Sequence, residues 1–172
     1  MRTIEETVQV AVPLRTAYNQ WTQFKSFPRF MASVKRVDQI RPAMTRWVIG
    51  WGPLSYEFEV EIVEQRPDAC VAWRSLDRRP CHRGEVTFRP LDSGRTAVAV
   101  RMRYEPQGVG ELVVDALSVP RRTVRAELAH FKEFIEGLGE EVGAWRGSIR
   151  GGHVHPAEPV PPRSQVPTWP HG

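Results

Sequence analysis

From Leu54 to Ile62 the chain alternates strictly, with Leu54, Tyr56, Phe58, Val60 and Ile62 apolar and Ser55, Glu57, Glu59 and Glu61 polar. A period of two is that of a strand with one dry face and one wet face. Turn signals at Pro67-Asp68, Asp77 to Pro80 and Asp92-Ser93-Gly94 separate further runs: Val71, Trp73, Ser75; then His82, Gly84, Val86, Phe88; then Val98, Val100, Met102, Tyr104. The pattern predicts successive hairpins in an antiparallel meander. An earlier strand is expected over Thr3 to Val10, where Ile4, Val8 and Val10 share a face and Glu6 is the exception, read as a carboxylate at the sheet's rim or paired with an arginine rather than facing a ligand.

Helical spacing appears in three places. Pro13 opens a helix whose apolar face is Leu14, Ala17, Tyr18, Trp21 and Phe24, and Ser26 to Met31 forms a second short turn around Pro28. From Gly108 to Gly139 a long helix carries Val124, Leu128, Phe131, Ile135 and Leu138 on one face and Arg122, Arg125, Lys132 and Glu133 on the other. That stripe is most simply buried against the hollow side of a curved sheet. The expected fold is α+β: an antiparallel sheet of about six to seven strands around a long C-terminal helix, with two short helices after the first strand and a pocket between sheet and helix.

Centring each hairpin on its turn gives a register in which inward residues oppose inward residues. It sets Ile62 against Val71, Val60 against Trp73 and Phe58 against Ser75. It also sets Trp73 against Gly84, Val71 against Val86, Val86 against Val100 and Phe88 against Val98. The same register keeps Cys70, opposite Thr87, away from Cys81, opposite Leu76.

Composition narrows the function classes. At 172 residues and 41% hydrophobic, the chain supports one core, assigned to residues 1–144. Residues 145–172, rich in Pro, Gly and Arg, are expected to form a disordered tail. The net charge of +4 is too small for a nucleic-acid footprint, and no run is long enough to span a bilayer. Without a leader-like segment or a cysteine framework, a cytoplasmic location is expected. No metal-ligand spacing or cofactor motif is found, so neither is assigned. The pair His153 and His155 is read as incidental, and oligomeric state is left open. Glu57, Glu59 and Glu61 all fall on the wet face, where neighbouring arginines should balance them.

One polar group of residues falls inward. The register places Thr45, Phe58, Ser75, His82 and Tyr104 side by side, a polar rung in an apolar wall. His82, Tyr104 and Ser75 are the candidates for moving a proton or orienting a carbonyl. The equally consistent alternative is an internal hydrogen-bond network. Trp47, Trp51, Tyr56, Trp73 and Met102 supply flat apolar surface around the rung, with Leu128 and Phe131 facing it from the helix.

Several stretches carry a resemblance: Ile4 to Val10, Val12-Pro13 before Ala17 to Phe24, Phe27 to Met31, Ala72 to Ser75, Gly84 to Phe88, and Phe131 to Ile135. They resemble the bacterial polyketide cyclase/dehydrase-like branch of the START-related (SRPBCC, birch-pollen-allergen-like) superfamily, up to about Gly139. The resemblance implies a helix-grip domain whose cavity takes lipids, polyketides, quinones or other small hydrophobic compounds. No catalytic constellation of the aromatase/cyclase enzymes matches positions here. Two classes therefore remain: a binding or carrier protein, and a cyclase, aromatase or dehydratase working by general acid/base catalysis. The thin polar inventory favours binding.

Overall fold

The structure, a computed structural model, describes residues 2–51, 53–76, 82–104 and 112–156; the side chains of Arg2, Trp51, Leu54, Tyr104 and residues 112–120 are not described. In chain order come β1 (Arg2–Val10), α1 (Leu14–Trp21), a 3₁₀ helix (Phe24–Arg29), β2 (Val34–Arg41), β3 (Met44–Trp51) and β4 (Leu54–Arg66). Then follow β5 (Cys70–Ser75), β6 (His82–Asp92), β7 (Arg95–Tyr104), α2 (Leu112–Leu138), β8 (Ser148–Arg150) and β9 (His153–His155). The antiparallel sheet runs β1-β7-β6-β5-β4-β3-β2, seven strands as the meander implied, and β8 and β9 bring it to nine.

Both edges of this sheet are tied to α2, which is how the sheet comes to grip the helix. On one flank Arg125 reaches Glu6 at 3.1 Å, which accounts for the carboxylate on the apolar side of β1. Nearby, Lys132 donates to the Gln9 carbonyl at 2.8 Å and Glu136 accepts from the Ala11 amide at 2.7 Å. On the other flank Glu127 accepts from the backbone and hydroxyl of Ser33, just before β2, at 3.2 and 2.9 Å. Between these flanks the apolar stripe is buried: Leu128 is 3% exposed, and Phe131 and Ile135 are fully buried. Leu138, at the end of the stripe, is instead exposed. Phe131 meets Trp21 at 5.2 Å and Phe30 at 5.5 Å between ring centroids, and Phe27 meets Trp47 at 5.4 Å. The edge-on and tilted contacts among Trp21, Phe27, Phe30 and Phe131 make an aromatic plug under the C-terminal half of α2, with the partly buried Trp47 at its margin, and each buried ring stabilises the fold by about 1.5–3 kcal/mol.

The register agrees with expectation across β5, β6 and β7: Cys70 opposes Thr87, Val71 opposes Val86, Trp73 opposes Gly84, Val86 opposes Val100 and Phe88 opposes Val98. Between β4 and β5 it does not. Ile62 faces Trp73 and Val60 faces Ser75, while nearer the turn Gln65 faces Val71 and Arg66 faces Cys70. The centre of the hairpin causes the difference: the chain turns at Asp68, at a left-handed φ of 61°, which sets Arg66 opposite Cys70. A bulge between Ile62 and Glu64 then adds a residue on β4 and turns Gln65, 1% exposed, to the inner face. The Cys81 half of the thiol expectation lies outside the described residues; Cys70 is buried.

The expected disorder from residue 145 onward is corrected for residues 145–156. Ile149 is fully buried, β8 pairs with β4 at Glu64 and Gln65, and β9 folds back on β8 through Gly151-Gly152, at φ 55° and 79°. The reason lies in β4, whose pairing with β3 ends at Glu61 opposite Met44. Its last residues leave an edge that β8 covers. Residues 157–172 lie outside the described residues.

Candidate functional site

The inner face of the sheet, away from the aromatic plug, carries most of the expected wall. Successive pairings align Thr45 with Val60, Val60 with Ser75, and His82 with Tyr104, while the His82 amide donates to the Ser75 hydroxyl at 3.0 Å. The rung is therefore Thr45, Val60, Ser75, His82 and Tyr104. Phe58 leaves it, because the β4–β5 register shift pairs Phe58 only with Trp47, one step along the wall. It still touches the rung, since its ring meets the His82 ring edge-on at 5.0 Å and 89°.

Each polar member has a definite setting. Thr45, fully buried, accepts a hydrogen bond from the Trp47 indole nitrogen at 2.7 Å, fixing that ring against the wall. Trp73 lies over Gly84: a Cβ there would stand 2.6 Å from the indole Cζ2, so only glycine admits the ring. His82 is half-buried with its Nδ1 enclosed, and burial pushes its pKa down to about 4, so the ring is neutral near pH 7. Its Nδ1 is buried and has no hydrogen-bond partner among the described residues. Trp73 and Met102, both partly buried, flank Gly84 two residues along β6. Tyr56, by contrast, is 47% exposed, at the outer end of β4. Leu128 and Phe131 belong to the closed core, Phe131 within the plug. Tyr104 is placed opposite His82 by its backbone alone. The glutamates of β4 point outward and are paired as expected: Arg46 with Glu57 and Glu59, Arg74 with Glu61.

Two further polar clusters were not singled out from the sequence. At the far end of β4, Arg146 makes two bonds to Asp68, at 2.9 and 2.8 Å, a third to Asn19 at 2.7 Å, and lies 5.6 Å over the Tyr18 ring. Burial raises the Tyr18 pKa to about 12. The second is Glu127, 8% exposed, whose Oε1 is held by Ser33 while Oε2 stands 3.7 Å from His130 Nδ1. Its spacing of three from Val124 and four from Phe131 put it on the apolar stripe, and that was the signal available in the sequence.

Comparison with known proteins agrees with this architecture. Residues 10–133 match the family of polyketide cyclase/dehydrase and lipid transport proteins. The chain belongs to that family. This polyketide cyclase-family protein is 43% identical to an uncharacterized 17.2 kDa protein of Streptomyces lincolnensis, over 87% of this chain and 99% of that one. Its fold is shared with a START superfamily protein from Mycobacterium smegmatis, at TM-score 0.62 and 16% identity over 79% of this chain and 95% of that chain. The Zhui aromatase/cyclase of a Streptomyces species is similar to the same degree: TM-score 0.62 and 15% identity, covering 81% and 98%. Among the described residues, no helix is long and apolar enough to cross a membrane.

Proposed function

We propose that this polyketide cyclase-family protein binds a small, flat hydrophobic molecule between the sheet and the N-terminal half of α2, with His82 as the group that orients it. The observation that carries the reading is the His82 Nδ1, buried and without a hydrogen-bond partner among the described residues, in a wall of Trp47, Phe58, Trp73 and Met102. A buried ring nitrogen without a partner costs about 1–3 kcal/mol, and a ligand hydroxyl or carbonyl removes that cost. Indole and phenyl faces around it suit an aromatic or polycyclic body. A neutral imidazole accepts or donates one hydrogen bond without the desolvation penalty of a charge. The family description, which spans cyclases and lipid transport, supports a ligand of this class. Binding needs nothing more than these groups, whereas cyclisation needs an acid or base aimed at a reacting atom.

The test is calorimetric titration with anthracenemethanol, a neutral three-ring alcohol. Saturable one-to-one binding is expected, with His82→Phe weakening it about tenfold while the variant keeps its fold. Absence of saturable binding to the wild-type protein overturns the reading.

A further inference from the structure

We propose that the outward face of the β8–β9 hairpin, together with the end of β4, is a second binding site, for a phosphate monoester: a small organic molecule carrying a phosphate dianion. Ile149 is fully buried, so strand alternation turns its neighbours Ser148 and Arg150 to the opposite, outward face. Across the hairpin Ser148 opposes His155. With Arg66 at the end of β4 and Arg146 just before β8, these groups line a depression of about 590 Å³. Among the described residues, no carboxylate lines it.

The charges around the depression are unequally spent. Arg146 is held by both oxygens of Asp68 and by Asn19, so it is a fixed wall whose charge is balanced. Arg66 meets Glu64 through its Nε at 3.1 Å. Arg150 lies opposite Glu64 in the β4–β8 register, yet its guanidinium has no carboxylate partner among the described residues. One carboxylate thus serves two guanidiniums and balances only one of them. The surplus positive charge borders a concave surface beside the Ser148 hydroxyl and the exposed His155 ring, an arrangement that attracts an anion. A guanidinium fork donates two parallel hydrogen bonds to a phosphate, and the hydroxyl adds another donor. The volume is many times that of a phosphate, so it admits an attached organic body, to which Pro67 and Pro156 offer apolar contact. None of these groups belongs to the wall at His82, and the two sites stand or fall separately.

The experiment is calorimetric titration of the full-length protein with phenyl phosphate at physiological salt. Saturable one-to-one binding is expected, with a Kd of about 1 mM or tighter. Arg150→Ala is expected to weaken it about tenfold and Ser148→Ala about threefold, with denaturant midpoints unchanged because both side chains face outward. Arg150→Lys should recover only part of the loss, since an ammonium lacks the bidentate fork. Lys35→Ala, which removes an exposed charge on β2, is expected to bind as wild type does. Absence of saturation with the wild-type protein overturns the inference. So does equal weakening by Arg150→Ala and Lys35→Ala, which would reflect net charge alone. Vesicles of phosphatidylcholine with phosphatidic acid separate the two sources of a phosphate: the protein is expected to stay in solution. Sedimentation with these vesicles and no binding of phenyl phosphate would assign the surface to a lipid headgroup and overturn the small-molecule site.

Discussion

At the scale of single residues, His82 is the position where chemistry and folding pull apart. Its folded pKa of about 4 lies below the ordinary 6.5, so between those values the unfolded chain takes up a proton that the folded chain refuses. The contribution is intact above pH 6.5 and is lost progressively as the pH falls toward 4. At pH 5 the loss is about 2 kcal/mol, from 1.36 kcal/mol per unit. Denaturant midpoints at pH 7 and pH 5 should therefore show wild type losing about 2 kcal/mol more than His82→Gln, which cannot titrate; equal losses would show that the imidazole is not buried and neutral. Gly84 gives a second residue-scale test. Gly84→Ala drives a methyl into the Trp73 ring and should cost about 1–3 kcal/mol in thermal or denaturant unfolding. That close approach was legible in the sequence, because the β5–β6 turn preserves alternation and places the largest ring opposite the residue with no side chain. The neighbours Ser75, His82 and Tyr104 were legible for the same reason. Phe58 was misplaced in the rung because the β4–β5 hairpin is centred on Asp68, later in the chain than the expected pairing placed it.

At the scale of elements, the β8–β9 hairpin carries the largest departure from expectation. Its composition reads as a solvated tail, since only Ile149 and Val154 are apolar, and the alternation is too short to register. The Gly151-Gly152 pair was the available hairpin signal, with both residues in the left-handed region that a two-residue loop requires. What orders the segment is elsewhere in the chain: the uncovered edge of β4 and the Asp68 carboxylate that receives Arg146. Ile149→Ala should therefore destabilise by about 2–4 kcal/mol, as for other fully buried aliphatic side chains. Arg146→Ala should cost about 2–3 kcal/mol by leaving Asp68 and Asn19 without their partner. Chemical denaturation reads both, and a change below about 0.5 kcal/mol in each would mean that the hairpin is not part of the folded unit. The pairing of α2 with the sheet edges was half legible: the apolar stripe was plain, but Glu127 within it was hidden by the assumption that a stripe position is apolar.

For the whole molecule, a sheet held at both edges by one helix encloses an interior whose two ends differ. Under the C-terminal half of α2 the interior is filled by Trp21, Phe27, Phe30 and Phe131; toward His82 the wall is aromatic, and among the described residues the buried Nδ1 has no hydrogen-bond partner. The fold could be read from periodicity because hairpins and a helical stripe are local patterns. The aromatic plug, and with it the proposed place for a ligand, could not, because it depends on which rings meet across elements distant in sequence. The most direct measurement is nuclear magnetic resonance mapping of the protein titrated with anthracenemethanol, following the indole N–H signals of Trp21, Trp47 and Trp73 and the ring nitrogens of His82. The account predicts saturable shifts at Trp47, Trp73 and His82 Nδ1, with the Trp21 signal, inside the plug, nearly unmoved. Shifts confined to outward-facing residues, or a His82 ring unaffected at saturation, would contradict it.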